Sequence, residues 1–397
     1  MSNLAIHFSA VRHFLIISQT TELDVCVQCW ISVANMSQNE DWINGKTFRG
    51  LSKLISLDMS DNKISRLEVK IFQELDTLEM LNLGHNYLQS ISLNIFLHQN
   101  NLHTLILSHN HITQVHNNTF AGLSVLSYLY LDHNKIHQIH TDVFSECIKI
   151  QDIALNNNKL TSVSWIQRSS LSQLRTLDLG ENHISVLSDT SFDGLDNLYG
   201  LRLSGNRISE LSRSVFDMIP SVQVLNIAHN QISTLPQDSF VSLRKLRSLR
   251  LDDNQLTDIN GLLTAQNDLR LLNVSANKLQ WFDYAFIPKS LEWLDLHHNQ
   301  IEELGNYYQL KEGFNLKTLD ISHNKLYKIS PSSFLTSLET IYLNNNHIEE
   351  ILANTFLQID TLRRVELAQN SLVTLHLAAI AVQQRDSGKL YIHISYM

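Results

Sequence analysis

The strongest constraint in this sequence is a short frame, L-x-x-L-x-L-x-x-N-x-L, that recurs along nearly the whole chain. Eight successive spacings between its asparagines, from Asn62 to Asn254, are each 24 residues, and the average from Asn39 to Asn370 is (370 − 39)/14, or about 23.6. A period of roughly 20–29 residues is typical of leucine-rich repeats, in which each repeat forms one coil of a solenoid. After Asn39, the registered asparagines are Asn62, Asn86, Asn110, Asn134, Asn158, Asn182, Asn206, Asn230, Asn254, Asn277, Asn299, Asn324, Asn346 and Asn370.

Each part of the frame has a structural reason. Leucines that alternate with polar residues predict a short strand with one buried face, and strands one period apart would stack as a parallel sheet. The chain must then turn sharply, and its buried N–H and C=O groups need partners there. An inward asparagine supplies both a donor and an acceptor. The frame therefore predicts an α/β solenoid: a leucine-rich-repeat horseshoe of about 15 coils, with the sheet on its concave face and a structural asparagine ladder inside.

Phenylalanines recur ten residues after most of the registered asparagines, and we expect them to fill the core of each coil. Among the repeats that lack this residue, two carry Arg168 and Thr264 in its place. The 65 Leu and 36 Asn fit this repeat, whereas only 12 Gly and 4 Pro disfavour a loop-rich β-sandwich. The predicted phenylalanine series is Phe72, Phe96, Phe120, Phe144, Phe192, Phe216, Phe240, Phe334 and Phe356.

The register divides the chain into three parts. Residues 1–30 form an irregular N-terminal segment, 31–377 a single repeat solenoid, and 378–397 a tail outside the repeat. Neither end offers a convincing cap for a terminal coil, so the chain reads as a section of a longer array. Residues 1–18 match a secretory signal poorly, and the longest nearly apolar stretch, 372–382, is too short for the roughly 20 residues that a membrane-spanning helix needs.

Several function classes are disfavoured. The net charge of −9, with no basic run longer than the pair Arg363 and Arg364, leaves no footprint for nucleic acid. An S-D-N match at 60–62 and an S-x-x-K match starting at Ser60 resemble motifs of serine acyl-enzymes. The same letters recur in frame at Ser275 and Ser322, so the repeat itself generates them. We expect neither enzymatic activity nor a cofactor.

Cysteine and histidine raise the question of metal. Cys26 and Cys29 form a C-x-x-C that could be redox-active, half of a zinc site, or part of a cap. Cys147 occupies a leucine position and is predicted to be a buried free thiol. Histidines directly precede six ladder asparagines, and solvated turn residues, a pH-sensing column and a metal column are the alternatives. Because no neighbouring carboxylate is seen to complete a ligand set, no metal site is predicted. The six are His85, His109, His133, His229, His298 and His323.

Two further sets of residues bear on the surface. Glycosylation sequons start at Asn35, Asn117 and Asn273, the first and last of these on outward strand positions. The outward strand positions also carry Tyr, Trp and Arg, the residue types enriched at binding hot spots. They form a candidate protein-binding set on the concave face, for which a mixed solvated surface is the alternative. This set is Tyr128, Tyr130, Tyr199, Arg202, Arg247, Arg250, Arg270, Trp293 and Tyr342.

Four blocks of the sequence contain specific residues that the repeat consensus does not require. The segments at 42–51 (WINGKTFRGL), 256–263 (LTDINGLL), 281–299 (WFDYAFIPKSLEWLDLHHN) and 301–308 (IEELGNYY) resemble ectodomains of insect Toll receptors, especially the long-ectodomain branch that includes Tollo. The resemblance covers about 31–375. It implies an extracellular solenoid at the plasma membrane, followed by a transmembrane helix and a cytoplasmic TIR domain. It also implies partners that are cystine-knot cytokine-like or cell-surface proteins, with signalling through receptor association.

The expected function is therefore the ligand-binding section of a Toll-like cell-surface receptor ectodomain, in innate immune or developmental signalling. The transmembrane and TIR parts of such a receptor are not found in this sequence. A stand-alone leucine-rich-repeat scaffold or a secreted decoy is the alternative. The ligand-contact residues of the family are not carried by a short motif, so the concave-face set rests on residue chemistry alone.

Overall fold

Each described repeat frame folds into a short strand that pairs in parallel with the strand of the next coil. The computed structural model describes residues 5–8, 29–33, 45–166, 171–263, 265–306, 313–375 and 390–394. The chain divides into two units, Met1–Arg202 (unit 1) and Leu203–Met397 (unit 2). The repeat at Asn39 lies outside the described residues, and the solenoid has about 13 turns.

Unit 1 carries a parallel sheet in which the central leucines of neighbouring strands lie opposite one another. Leu81, Leu105 and Leu129 are in register and fully buried. Each such leucine stabilises the fold by about 1.5–3 kcal/mol relative to an exposed one. The strands are Ala5–Phe8, Cys29–Val33, Leu54–Asp58, Met80–Asn82, Thr104–Ile106, Tyr128–Tyr130, Asp152–Ala154, Thr176–Asp178 and Gly200–Arg202, and a separate ribbon pairs Gln114–Val115 with Gln138–Ile139.

Unit 2 repeats this arrangement, with Leu249, Leu272 and Leu294 in register and buried. The main strands are Val224–Asn226, Ser248–Arg250, Leu271–Asn273, Trp293–Asp295, Thr318–Asp320, Thr340–Tyr342, Arg364–Glu366 and Tyr391–His393. Short parallel ribbons join Phe282–Asp283 to Leu304–Gly305, and Lys328–Ile329 to Glu350–Ile351 to Thr374–Leu375. The described helices are 3-10 turns at Tyr284–Phe286 and Pro331–Ser333, so turns occupy the positions where an α/β coil would carry helices.

Strands also occur in the segments that the sequence assigns to the two ends. Ala5–Phe8 and Cys29–Val33 pair in parallel, within or next to the 1–30 segment. Tyr391–His393 pairs in register with Arg364–Glu366, inside the 378–397 tail. The leucine-rich-repeat solenoid with its parallel sheet is confirmed. No helix among the described residues is both long and apolar enough to cross a membrane.

The predicted asparagine ladder is present, and Asn158 shows its bonds. Its Nδ2 donates to the carbonyl of Leu131 in the preceding coil at 2.9 Å and to that of Leu155 in its own coil at 3.0 Å. Its Oδ1 accepts from the N–H of Ile136 at 2.9 Å. One side chain thus satisfies backbone groups of two coils. The same three contacts recur at Asn86, Asn110, Asn134, Asn182, Asn230, Asn254, Asn277, Asn299, Asn324, Asn346 and Asn370.

The residue before each ladder asparagine has a left-handed backbone, with φ of 55° at His109 and 56° at Asn157. Asn, Asp, His and Gly adopt this region more readily than other residues. This requirement accounts for their recurrence at the position, a reason that the sequence analysis did not identify. The positions are Asp61, His85, His109, His133, Asn157, Glu181, Gly205, His229, Asp253, Ala276, His298, His323, Asn345 and Gln369.

Aromatic side chains form the second half of the core. Phe72 and Phe96 stack with ring centroids 6.1 Å apart, and Phe120 and Phe144 at 5.8 Å. The predicted phenylalanine series is buried throughout, with exposures of 2% or less. Where the repeat lacks a phenylalanine near residue 168, Trp165 packs against Phe144 at 5.6 Å and is 2% exposed. Cys147 is a buried free thiol, as expected, and burial raises its pKa to about 12.

The WFDYAFIP block is an unusual coil of unit 2. Phe282 and Tyr284 are buried and meet edge to face at 5.4 Å. The hydroxyl of Tyr284 donates to the carbonyl of Ser333, 49 residues further along, at 3.0 Å. Asp283 caps the 3-10 turn by accepting from the N–H of Ala285 at 2.7 Å. Phe282, Asp283 and Tyr284 of this block are therefore core, whereas Trp281 is 44% exposed.

The ladder bonds lead to a prediction about stability. Replacing Asn158 by Ala leaves the buried N–H of Ile136 without an acceptor, and we expect the free energy of unfolding to fall by at least about 2 kcal/mol. Denaturant unfolding measures that loss, and faster hydrogen exchange at the Ile136 amide locates it. The matched control is Asn156→Ala, because Ala228 and Ala368 occupy the corresponding position naturally. Equal losses in the two variants would contradict the ladder's role.

Candidate functional site

The exposed side of each unit's sheet, here called the sheet face, carries all nine predicted binding residues. Unit 1 presents Tyr128 and Tyr130 from one strand, with the buried Leu129 between them. Tyr128 is 40% exposed, and Tyr130 is half-buried between its register neighbours Ile106 and Ala154. Burial raises the pKa of the Tyr130 hydroxyl, and Asp152 adds to that rise. The Tyr130 phenol therefore stays neutral near pH 7, and each of the two hydroxyls can donate and accept hydrogen bonds.

The other predicted pair of unit 1 lies at its last strand. Tyr199 precedes that strand and is 43% exposed. Arg202 lies at its end, where Nη1 contacts Oδ2 of Asp178 at 3.2 Å. The guanidinium is thereby positioned without being buried, since the side chain remains 45% exposed.

In unit 2, Arg247 and Arg270 are exposed just before their strands, and Arg270 begins a row of alternating charges. Arg270 Nη1 lies 3.5 Å from Oε1 of Glu292, whose Oε2 lies 3.6 Å from Nζ of Lys317. Arg363 and Glu339 continue the row at 3.8 Å. These exposed pairs contribute little stability, but they fix a charge pattern that a partner can match. Sequence reasoning missed Glu292, Lys317 and Glu339 because it selected hot-spot residue types alone.

Of two other predicted residues in unit 2, Arg250 is held by a carboxylate, and Tyr342 packs against an arginine that a carboxylate holds. Arg250 makes a bidentate contact with the buried Asp252, with Nε–Oδ1 at 3.0 Å and Nη2–Oδ2 at 2.8 Å. This hydrogen bond raises the pKa of Arg250. Tyr342 lies beneath Arg364, whose Cζ is 5.9 Å from the ring centroid. Arg364 Nε in turn donates to Glu366 at 2.7 Å.

Near Trp293, two aspartates and a histidine lie together. Asp295 follows Trp293 on the same strand, is 6% exposed, and accepts from the backbone N–H of His297 at 3.0 Å. His297 Nδ1 lies 2.5 Å from the same Oδ1, and ligand atoms of Asp295, His297 and Asp320 all lie within 4.8 Å of one another. The carboxylate of Asp295 accepts from Nδ1–H of His297 in this contact, and the hydrogen bond raises the pKa of His297.

The repeat builds the aspartate turn at several places. The Oδ1 of Asp58, Asp178 and Asp320 accepts from the N–H two residues on. Ser60 Oγ donates to Asp58 at 2.7 Å, and Ser322 Oγ to Asp320 at 2.6 Å. The serine-enzyme letters at 60–63 therefore fall on a recurrent turn. The leucine-rich-repeat fold is a non-enzymatic class.

The sequon asparagines differ in accessibility. Asn117 is exposed, and Thr119 of its sequon is 1% exposed. Asn273 is 9% exposed because its Oδ1 turns back to accept from the N–H of Ser275 at 2.9 Å. Asn273 is in register with Arg250 on the sheet face, but its low exposure argues against a glycan there. Asn35 lies outside the described residues.

The histidines before the ladder asparagines stack. In unit 1, the ring centroids of His85 and His109 are 4.1 Å apart, and so are those of His109 and His133. One ligand atom from each of His109, Asp132 and His133 lies within 4.8 Å of the others. The statement that no carboxylate completes a ligand set is corrected, because the pitch of the repeat brings Asp132 beside His109. Cys26 is outside the described residues, and Cys29 lies in a described strand.

Fold and repeat chemistry together define a leucine-rich-repeat protein. The family described as "Leucine rich repeat" matches residues 41–88, 62–112, 77–136, 100–160, 148–208 and 196–256, and "Leucine Rich repeats (2 copies)" matches residues 314–358. These matches cover more than half of the chain. The chain belongs to the leucine-rich-repeat family.

Similar proteins refine this assignment. The chain is 41% identical over 127 residues to Toll-like receptor 7 of Drosophila melanogaster, a match that spans 32% of this chain and 9% of that receptor. It thus spans a small part of that relative's length. The resemblance to insect Toll receptors, predicted from the sequence blocks, is confirmed.

Solved structures agree on the fold. A leucine-rich-repeat protein of Leptospira interrogans superposes with a TM-score of 0.72 at 26% identity, covering 82% of this chain and 81% of that one. The Drosophila Toll–Spatzle complex in its glycosylated form superposes with a TM-score of 0.63 at 22% identity, covering 87% of this chain and 44% of that one.

The neighbours His297 and His298 should titrate in opposite directions. The hydrogen bond that His297 donates to Asp295 raises the pKa of His297, whereas desolvation and the charge of His323 lower the pKa of His298. The protonated His297 therefore stabilises the fold fully below its unfolded pKa of about 6.5, and this contribution is lost as pH rises through the raised folded pKa.

NMR titration of the ring protons should give a higher midpoint for His297 than for His298. Asp295→Asn should bring the His297 midpoint down toward its ordinary value. Asp253→Asn, which instead removes the partner of His229, is the control and should leave it in place. Equal midpoints for the two histidines would refute the assignment.

Proposed function

We propose that this chain is the ligand-binding section of a Toll-like cell-surface receptor ectodomain, acting in innate immune or developmental signalling. The observation that carries the proposal is the 41% identity to Toll-like receptor 7 of Drosophila melanogaster. The fold shared with the Toll–Spatzle structure is compatible with it. The partner is an extracellular protein, cystine-knot cytokine-like or displayed on a cell surface, and receptor association follows binding.

The sheet faces supply the binding surface. Tyrosine, tryptophan and arginine bury large contact areas and dominate binding energy at interfaces. In unit 2, Trp293 lies beside Arg270 and its partner Glu292, so an apolar anchor is flanked by both signs of charge. Such a rim sets the register and association rate of a protein partner more than its affinity.

Binding should depend on these anchors. We expect Trp293→Ala, and separately Tyr128→Ala, to weaken binding of the cognate protein by roughly 10–30-fold, because hot-spot truncations cost about 1.5–2 kcal/mol. The secreted chain would be screened against the cystine-knot cytokine-like proteins of the same organism by surface plasmon resonance.

The matched control is Val186→Ser, because Val186 is 72% exposed and lies away from the strands. It should leave binding unchanged. If neither Trp293→Ala nor Tyr128→Ala weakened binding, the binding site would have to lie outside the sheet faces.

The extracellular assignment has its own test. In cells that express the native gene, we expect the product in the membrane fraction and sensitive to glycosidase, with Asn117→Gln reducing the mobility shift and Asn273→Gln leaving it unchanged. A glycosylated product found only in the medium would favour a secreted decoy. An intracellular, glycosidase-insensitive product would exclude both the receptor ectodomain and the secreted decoy, and a stand-alone scaffold would remain.

A further inference from the structure

Three consecutive coils of unit 1 present stacked imidazoles. His85, His109 and His133 lie at 4.1 Å centroid separations, with interplanar angles of 10° and 9°. The left-handed turn favours histidine but does not demand it, because Asp61 and Asn157 hold the same conformation in the flanking coils. The run of histidines is therefore more than the backbone requires.

A carboxylate completes the set at one step of this column. Asp132 lies on the coil of His133, and its Oδ1 accepts from Ser108 Oγ, on the coil of His109, at 2.6 Å. That bond orients the carboxylate, as outer partners commonly orient metal ligands. The imidazoles of His109 and His133 are exposed, and Asp132 is half-buried.

We propose that His109, Asp132 and His133 form a site for a divalent transition metal ion of the zinc type. Two imidazoles and one carboxylate are ligands that zinc accepts, and three protein ligands leave a fourth position for water or for a group of a partner. This site is separate from the proposed receptor function and does not rest on it.

The geometry requires only side-chain movement. Ligand atoms of a tetrahedral zinc ion lie about 3.3 Å apart, given bonds of about 2.0–2.1 Å. The two stacked rings, with 9° between their planes, direct their nitrogen lone pairs nearly parallel, so both rings must rotate for these lone pairs to converge on one ion. Because the rings are exposed they can rotate, while the adjacent ladder residues Asn110 and Asn134 are buried and hold the backbone.

Ion binding has a mechanical consequence. The ligands lie on neighbouring coils, with His109 and His133 one full repeat apart along the chain. An ion bound to both coils would stabilise the folded state by mass action, since the unfolded chain does not hold the three ligands together.

The chain supplies conservative replacements and controls for a test. His109→Asn and His133→Asn copy Asn157, and Asp132→Ser copies Ser108 in the preceding coil. His298 and His323 stack at 4.1 Å as well, but Ser322 stands where Asp132 does. His323→Asn, which copies Asn345, therefore removes an equally stacked imidazole that lacks the carboxylate.

The experiment uses the full chain, stripped with EDTA, and zinc chloride as the probe in isothermal titration calorimetry, with thermal unfolding alongside. We expect one zinc equivalent that raises the melting midpoint. Each of the three site variants should weaken zinc binding at least tenfold, whereas His323→Asn should leave zinc binding unchanged. Cobalt should give the visible absorption of a tetrahedral site in the unaltered chain and in His323→Asn, and should not give it in the three site variants.

Three results would overturn the proposal. They are the absence of a zinc equivalent, equal weakening by Asp132→Ser and His323→Asn, and zinc binding that survives all three site variants, which would be adventitious surface binding. Loss only with His297→Asn would assign the ion to the Asp295–His297–Asp320 cluster and would likewise overturn it.

Discussion

The rest of this structure depends on the hydrogen bonds that one buried asparagine amide makes in each coil. A coil that turns sharply beside its strand leaves backbone groups away from water, and each unpaired group costs about 1–3 kcal/mol. The asparagine amide satisfies carbonyls of its own coil and the preceding one, and it accepts from a further N–H, as at Asn158. The spacing of the ladder asparagines becomes uneven in unit 2 without loss of this pattern, because insertions and deletions fall outside the bonded turn.

Much of the fold is predictable from the sequence because these requirements are local. The leucine alternation, the ladder and the phenylalanine series each repeat one residue type at one position, so a single frame predicts them all. The sequence does not predict the packing of coils in which a residue outside the repeat positions fills the core. Trp165 replaces the missing phenylalanine from a different position in its coil, and Tyr284 reaches Ser333 two coils on. Neither contact has a periodic signal.

The sequence predicts which side chains lie on the candidate surfaces, but it does not predict which residues those side chains contact. Alternation places Tyr128 and Trp293 on the sheet face, yet it does not show that Arg250 is fastened to Asp252 or that Asn273 folds back onto Ser275. Contacts between coils join residues about one repeat apart, and a shift of a single position changes the partner. The sequence shows that Asp132 directly precedes His133, but only the pitch of the coil brings Asp132 close to His109.

Surface rows on neighbouring positions of a coil are also coupled to one another. Asp132 lies two residues after Tyr130, and its negative charge contributes to the raised pKa of that phenol on the sheet face. An ion bound by Asp132 would cancel this charge and make the phenol a better hydrogen-bond donor. By linkage, a partner that accepts a hydrogen bond from Tyr130 would tighten ion binding by the same factor. The backbone preference for histidine at the turn thus places the proposed metal site close to the surface where a protein partner would bind.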